Sequence, residues 1–264
     1  MELINNYLNT LTRTNAIKDL ADINILIQNH IEQLSFCNIP ILLNKDISLE
    51  LVNITKKMII KKEGGYCFEH NKLIYEALLY CGFNVKPLFG RVLNNQSVEV
   101  ARTHRMTLLT YENEQYLIDV GFGFISPGKA IKFGSTPTVT TLNRAYIIKQ
   151  LDDETFELQL ILDDGTYTLY SFDFTTCNEM DFEVSNFYSF KHKDANFVKN
   201  LVLSKISKDE VRSLRNNIYH KIYVNEKQEM IINTLSEFTS ILKSEFNYPI
   251  NDQDIRYLFE KFVQ

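Results

Sequence analysis

The segment Gly64-Gly65-Tyr66-Cys67 carries the residue types best suited to covalent chemistry. Two glycines free the backbone just before a helical stretch begins. A cysteine in the first helical turn meets the positive end of the helix dipole, which favours the thiolate, the nucleophilic form of the side chain. Backbone N–H groups in that turn are also free to stabilise an oxyanion. The segment is therefore suited to attack on an acyl carbonyl; the alternative is that Cys67 is a small core residue on an apolar helix face.

A cysteine nucleophile normally needs a base, and two of the five histidines are placed to act as one. His70 follows Cys67 by three residues and could contact it on the same helix. His104 is the better candidate because it lies in the strand pattern Thr103–Thr110, on one side of a predicted sheet.

A carboxylate in the following strand could orient that histidine. Asp119 interrupts an apolar strand, where a carboxylate needs a partner. If the hairpin turns at Glu112-Asn113, His104 pairs with Gly121 and Asp119 is its diagonal neighbour, about 7–8 Å away between backbones. A register shift of one residue would separate the two side chains and leave a lone histidine and a turn-capping aspartate.

Three regions of the chain differ in their residue patterns, and these patterns predict the elements that position the residues above. Residues 15 to about 82 carry helical periodicity, with Ser48 as the N-cap of one helix and a later helix that begins near Cys67 and ends at Gly82. Residues 83 to about 174 are rich in β-branched and aromatic residues, spaced as in an antiparallel sheet or barrel. The remainder mixes strand and helix patterns. This order predicts an α+β protein.

Composition excludes several classes of protein. The chain has 264 residues, of which 45% are hydrophobic and 23% charged, as in ordinary globular proteins. The net charge of −5 argues against a general nucleic-acid binder. No apolar stretch approaches the roughly 20 residues of a membrane span, and the first residues do not resemble a signal peptide. We therefore expect a cytoplasmic protein with neither nucleic acid nor membrane as a partner.

The four cysteines are Cys37, Cys67, Cys81 and Cys177. In a reducing compartment they are expected to be free thiols. Because they form no CxxC pair, no metal site is predicted.

Three separate motifs resemble those of the arylamine N-acetyltransferase family. That family carries Gly-Gly-x-Cys-x-Glu-x-Asn, Thr-His and Asp-Val-Gly-Phe-Gly in this order, and this chain has them at residues 64–71, 103–104 and 119–123. Motif type, order and spacing all agree. The convincing part of the resemblance covers roughly residues 30 to 125.

The resemblance implies a fold and a reaction. The fold is an N-terminal helical bundle over residues 1–82 with the nucleophile, a central antiparallel β-barrel over 83–185 with the histidine and aspartate, and a C-terminal α/β lid over 186–264. The reaction is acetyl transfer from acetyl-CoA, as co-substrate, to an arylamine, arylhydrazine or N-hydroxyarylamine. It proceeds in two steps through an acetyl-cysteine and needs no metal.

The resemblance also implies site residues. The catalytic triad that it implies is Cys67, His104 and Asp119. Thr103, Phe122 and Gly123 would line the place where the acetyl-CoA arm meets the acceptor, and Phe122 and Phe190 would give an arylamine flat apolar partners. The phosphates of coenzyme A call for a local basic patch, for which the candidates are Arg102, Arg105, Lys129, Lys191 and Lys193.

Two positions depart together from the family pattern. The family usually has Arg before the two glycines and Glu in a Phe-Glu-Asn stretch, where this chain has Glu63 and Cys37. Those residues look like ion-pair partners in the family, so the double change questions the rigidity of the loop before Cys67. The segment after Gly123 departs as well, which makes acceptor preference the property least safely transferred.

Two other functions remain open on the same residues. A Cys–His–Asp triad also serves cysteine-dependent hydrolases and amide-forming enzymes, although papain-type signatures and tryptophan are absent from this sequence. The altered pair Glu63 and Cys37 would also suit a catalytically weakened binding homologue.

Overall fold

The structure, a computed structural model, describes residues 2–12 and 16–264. Its α-helices are α1 (Glu2–Thr12), α2 (Leu20–Gln33), α3 (Ile39–Leu42), α4 (Leu51–Thr55), α5 (Cys67–Tyr80), α6 (Glu179–Lys191), α7 (Asn196–Lys199), α8 (Leu235–Ser240) and α9 (Asp252–Leu258). Short π-helical turns extend α4, α8 and α9 at Lys56–Ile60, Ile241–Glu245 and Phe259–Val263.

The strands are β1 (Phe36–Cys37), β2 (Asn84–Val92), β3 (His104–Tyr111), β4 (Glu114–Ile118), β5 (Ile131–Lys132), β6 (Gly134–Val139), β7 (Ala145–Gln150), β8 (Phe156–Leu162), β9 (Gly165–Phe172), β10 (Val202–Ile206), β11 (Val211–Arg215), β12 (Ile218–Ile222) and β13 (Lys227–Ile231). The predicted α+β class is confirmed.

The N-terminal helices begin and end much as their sequence signals indicate. The side chain of Asp19 caps α2 by accepting the N–H of Asp22. Helix α5 ends just before Gly82, whose φ of +85° is open to glycine at little cost. The prediction of Ser48 as an N-cap is wrong: its hydroxyl accepts the N–H of Glu50, and Glu50 itself occupies the cap of α4.

A nearly closed antiparallel barrel forms the middle of the molecule. Its eight strands follow the order β5-β4-β3-β2-β9-β8-β7-β6. Apolar and aromatic side chains such as Leu88, Met106, Leu158 and Tyr170 fill its interior. The antiparallel strands predicted between residues 83 and about 174 are present, and all eight barrel strands lie within that range.

A second antiparallel sheet follows, in the order β1-β10-β11-β12-β13. Its edge strand β1 comes from the N-terminal region, with Phe36 opposite Ser204 and Cys37 opposite Leu203. The C-terminal α/β part is therefore joined by backbone hydrogen bonds to the segment that precedes the Gly-Gly loop.

The division at residues 82 and 185 stays a prediction. The first boundary falls between α5 and β2, whereas the second falls inside α6, which starts at its capping residue Asn178. Within the described ranges, no helix combines the length and the apolar composition needed to cross a bilayer.

Candidate active site

Cys67 is the first residue of α5, and the loop before it lies against strand β1. The N–H of Cys37 donates to the carbonyl of Gly65 at 2.6 Å. Gly64 has φ +66°, and a Cβ there would lie 2.4 Å from the carbonyl oxygen of Ser35. Glycine is therefore required both by the backbone angle and by the close approach of the two segments.

The thiol of Cys67 is buried, with 3% of the residue exposed. Burial raises the pKa of this thiol and the negative charge of Asp119 adds to the rise, while the backbone N–H groups of Phe68 and Arg105 act in the opposite direction. The helix start alone does not give the lowered pKa that the sequence predicts. A thiolate at this position needs a cation beside it, and the imidazolium of His104 is the group that can supply one.

The hairpin that carries the other two predicted residues has the expected register. Glu112-Asn113 form its turn with φ values of +50° and +63°, as a tight two-residue turn requires. The ladder between β3 and β4 reaches Thr107 opposite Ile118. Continued by three residues, that register sets His104 opposite Gly121, as predicted.

Asp119 is fully enclosed and accepts three hydrogen bonds. His104 Nε2–H donates to its Oδ2 at 2.7 Å, and Asn71 Nδ2 and the N–H of Gly121 each donate to its Oδ1 at 2.9 Å. Burial alone would raise the pKa of this carboxyl, but the histidine and the other donors outweigh burial and lower it. The carboxylate occupies Nε2 of His104 and not Nδ1, while the thiol of Cys67 donates to the carbonyl of Thr103 at 3.7 Å.

Asn71 ties the hairpin to the cysteine helix. Its amide also donates to the carbonyl of Arg105 at 2.7 Å, and its Oδ1 accepts the N–H of Val120 at 3.0 Å. The backbones approach so closely that a Cβ on Gly121 would lie 2.9 Å from the Cα of Cys67. One amide side chain therefore fixes the distance between the helix of Cys67 and the segment that follows β4.

Cys67 and His104 face a common cavity of about 520 Å³. Thr103, Phe122 and Gly123, which the resemblance implied as contacts of the acyl donor, line the same cavity. Asp119 lies behind His104, away from this space. The structure thus brings together the three triad positions and the three predicted lining positions.

Two aromatic rings, whose own centroids are 5.1 Å apart, pack against the imidazole of His104. The ring of Phe122 meets it edge-on with centroids 4.9 Å apart, and the ring of Tyr170 lies at 4.9 Å in a tilted arrangement. Both contacts restrict rotation of the imidazole and keep it dry.

Sequence reasoning missed part of the cavity wall and misplaced one residue. Lining residues that the sequence analysis did not assign to the site are Phe36, Tyr188, Asn196, Phe197 and Arg215. Phe190 does not line the cavity: its ring packs on Phe187, with centroids 5.7 Å apart. Residues two positions apart on a helix point in directions that differ by about 200°. Tyr188 therefore reaches the cavity and Phe190 does not.

The proposed basic patch is largely dispersed. Arg105 is fully buried, donates two hydrogen bonds to Glu179 at 2.7 and 3.0 Å, and stacks its guanidinium on Phe182. It is therefore a structural residue and not a surface cation. Ion pairs with acidic neighbours also engage Arg102 with Asp173 and Lys191 with Asp46. Lys129 and Lys193 are exposed, and Arg215 is an exposed cation on the cavity rim.

His70 does not serve Cys67 but ends a buried chain of hydrogen bonds. Tyr7 O–H donates to His30 Nδ1 at 2.7 Å, and His30 Nε2 lies 2.7 Å from His70 Nδ1. His70 Nε2 in turn lies 3.2 Å from the carbonyl of Ser35. Burial lowers the pKa of His70 to about 4 and that of His30 well below its ordinary value, so both rings are neutral and every donor in the chain has an acceptor.

The remaining thiols are free and engaged in packing. Cys177 Sγ donates to the carbonyl of Pro87 at 3.3 Å, and Cys81 is half-buried at the end of α5. No three His, Cys, Asp or Glu side chains come close enough to hold a metal ion anywhere in residues 2–12 and 16–264.

Comparison with known proteins gives a consistent result. The arylamine N-acetyltransferase of Escherichia coli K12 is 28% identical over 220 residues, which cover 82% of this chain and 78% of that protein. The Salmonella typhimurium arylamine N-acetyltransferase / N-hydroxyarylamine O-acetyltransferase is 28% identical over 222 residues, with the same coverage.

Solved structures agree at the level of the fold. The Salmonella typhimurium arylamine N-acetyltransferase superposes with a TM-score of 0.91 at 24% identity, covering 99% of both chains. The Mycobacterium marinum enzyme in complex with CoA also has a TM-score of 0.91, at 21% identity and covering 99% of this chain and 100% of that one. A family model described as N-acetyltransferase matches residues 19–255. The chain therefore belongs to the arylamine N-acetyltransferase family.

Proposed function

We propose that this acetyltransferase moves an acetyl group from acetyl-CoA to an arylamine, arylhydrazine or N-hydroxyarylamine through an acetyl-cysteine on Cys67. The observation that carries the proposal is the 2.7 Å hydrogen bond from His104 to Asp119, beside the helix start that holds the cysteine. A carboxylate so placed fixes the imidazole tautomer and stabilises its charged form. The relative from Mycobacterium marinum, whose structure contains CoA, supports the choice of donor.

In the first step, His104 Nδ1 takes the thiol proton and the sulfur of Cys67 bonds to the thioester carbonyl carbon. Backbone N–H groups in the first turn of α5 stabilise the oxyanion of the tetrahedral intermediate. The intermediate collapses, the carbon–sulfur bond to coenzyme A breaks, and the leaving thiolate takes the proton from His104. The enzyme is left with a neutral histidine and an acetylated cysteine.

In the second step, the nitrogen of the acceptor attacks the acetyl carbonyl, or the oxygen does so when the acceptor is an N-hydroxyarylamine. His104 takes the proton from the attacking atom and returns it to the sulfur of Cys67 as the acyl–sulfur bond breaks. Phe122, at the cavity wall beside His104, gives the aromatic acceptor an edge or face to pack on. Asp119 stays ionised throughout and orients the ring.

Burial of the reacting atoms favours transfer over hydrolysis. Cys67 is 3% exposed and His104 is 1% exposed, so a thioester on the cysteine is shielded from water until an apolar acceptor enters. On the rim, Arg215 is the exposed cation best placed for a phosphate of coenzyme A. The four free thiols agree with a reducing, cytoplasmic compartment, which is part of the same proposal.

Initial rates with acetyl-CoA and an arylhydrazine, each varied against the other, test the proposal. We expect parallel double-reciprocal lines, which indicate two separate half-reactions. Cys67→Ala abolishes transfer, whereas Cys177→Ala, a matched loss of another free thiol, leaves the rate unchanged. Intersecting lines would contradict the acetyl-cysteine, and continued release of coenzyme A without an acceptor would identify a hydrolase.

A further inference from the structure

The carbonyl of Glu63, four residues before Cys67, accepts two part-buried hydrogen bonds. Cys37 Sγ–H donates to it at 3.0 Å and Tyr248 O–H donates to it at 3.0 Å. The sulfur and the hydroxyl oxygen are 3.7 Å apart, and the two residues are only 1% and 6% exposed. We call this group of Cys37, Tyr248 and the Glu63 carbonyl the carbonyl clamp.

Both donors of the carbonyl clamp are neutral. Burial raises the pKa of the Cys37 thiol to about 11 and raises the pKa of the Tyr248 hydroxyl as well. The carboxylate of Glu63 takes no part, since it points to Lys45 at 4.0 Å. The clamp therefore joins a carbonyl to a thiol and a phenol without any ion pair, and the surrounding protein keeps both protons in place at neutral pH.

The carbonyl clamp lies where the loop most needs support. The next residue, Gly64, has φ +66° and leaves a Cβ no room against Ser35. On its other side, Gly65 accepts the N–H of Cys37 at 2.6 Å. Cys37 thus binds the loop on both sides of Gly64, and Tyr248 reaches the loop from the C-terminal core.

We propose that Cys37 and Tyr248 are positioning residues for Cys67. Their hydrogen bonds fix the Glu63 carbonyl, and through Gly64 and Gly65 they set the start of α5 and the sulfur's place beside His104. This inference rests on the proposed function, which assigns the role of the nucleophile to Cys67. It also accounts for the joint change at Glu63 and Cys37, because two neutral donors hold the loop that lacks the ion pair.

The test uses Tyr248→Phe beside Tyr219→Phe as a matched control. Tyr219 belongs to the same core, is 5% exposed and also donates one hydroxyl hydrogen bond, but to Glu245 at 3.1 Å and not to the Gly-Gly loop. The readout is the pH profile of alkylation of the Cys67 peptide by iodoacetamide. Loss of a buried hydrogen bond changes an equilibrium about 3- to 10-fold, which is about 0.5 to 1 pH unit in that profile.

We expect Tyr248→Phe and Cys37→Ala to raise the midpoint of the profile, and Tyr219→Phe to leave it unchanged. The two tyrosine variants should lower Tm by similar amounts. Cys37→Ser, which keeps a donor, restores the wild-type midpoint. Equal shifts in the two tyrosine variants, or a wild-type midpoint in Cys37→Ala, would overturn the proposal. If Tyr248→Phe does not fold, the serine and alanine variants of Cys37 decide. Since no acetyl-CoA is used, failure of the acetyl-transfer reaction would be seen separately.

Discussion

The two sides of the candidate active site are supported in different ways. On the hairpin side, His104 begins β3 and Asp119 directly follows β4, and the register of these two strands follows from one two-residue turn. On the loop side, the start of α5 depends on contacts from Ser35, Cys37 and Tyr248, which belong to distant parts of the chain. The hairpin side is a local structure with an ionised centre, whereas the loop side is a long-range structure of neutral hydrogen bonds.

The largest expected effect lies on the hairpin side. Asp119→Asn keeps the volume of the side chain but no longer fixes the tautomer and charge of His104. We expect the single-turnover rate of acetylation by acetyl-CoA to fall about 10⁴-fold, as in other triads with a mis-set histidine. Thermal unfolding of the variant controls for the fold. A loss of less than tenfold would show that the carboxylate is not part of the reacting group.

A second variant tests the join between the two sides. A Cβ in Gly121→Ala would lie 2.7 Å from Asn71 Nδ2 and 2.9 Å from the Cα of Cys67, so α5 and the segment after β4 must separate. We expect the same rate to fall about 10²-fold, because displacements near 1 Å have that consequence for positioned groups. Gly82→Ala is the control: its φ is +85° with no atom within 4 Å of a Cβ, so it should cost about 1–2 kcal/mol of stability and no activity.

Mild acid should act on the loop side, where His70 lies 3.2 Å from the carbonyl oxygen of Ser35. The folded-state pKa of His70 is about 4 against 6.5 when unfolded, so the unfolded chain binds more protons between these values. The contribution of His70 to the free energy of unfolding is therefore fully present above about pH 6.5. It falls by about 3 kcal/mol as the pH drops towards 4. Urea unfolding at pH 7.5 and pH 5 measures the loss. His70→Gln, which does not titrate at this position, should reduce the difference and leave the part that His30 contributes. An equal difference in both proteins would contradict a neutral His70.

The smallest expected effect concerns the packing of α6 on the hairpin. Glu179, paired with Arg105, has its pKa lowered from 4.5 to about 2. The contribution of this pair is present above about pH 4.5 and is lost as the pH falls through about 2. Because its side chain is 43% exposed, Glu179→Gln should cost less than about 1 kcal/mol at pH 7. Stability curves for the two proteins that stay parallel down to pH 2 would show that the pair contributes nothing.

The same contrast explains how much could be predicted from the sequence. The turn at Glu112-Asn113 and the spacing of His104 and Asp119 fixed the register in advance, because hairpin geometry is a short-range property. Arg105 was predicted to be a surface cation. Its burial could not be predicted because its partner Glu179 is distant in sequence and no local pattern indicates the pair. Tyr248 lies in no motif, so its hydrogen bond to the Glu63 carbonyl could not be predicted.

Helix α6 escaped prediction for a different physical reason. It turns polar residues such as Ser185, Asn186 and Ser189 inward, where they hydrogen-bond to backbone carbonyls, and exposes Met180 and Val184. Its periodicity is therefore not that of an amphipathic helix on an apolar core. The residues that it and the following segment place on the cavity wall could not be predicted.

Intact mass of the protein after brief exposure to acetyl-CoA tests the central claim most directly. We predict one acetyl adduct on the wild-type chain, none on Cys67→Ala, and loss of the adduct when an arylamine or arylhydrazine is added. An adduct that persists on Cys67→Ala, or a wild-type chain that remains unmodified while transfer to the acceptor proceeds, would contradict an acetyl-cysteine at Cys67.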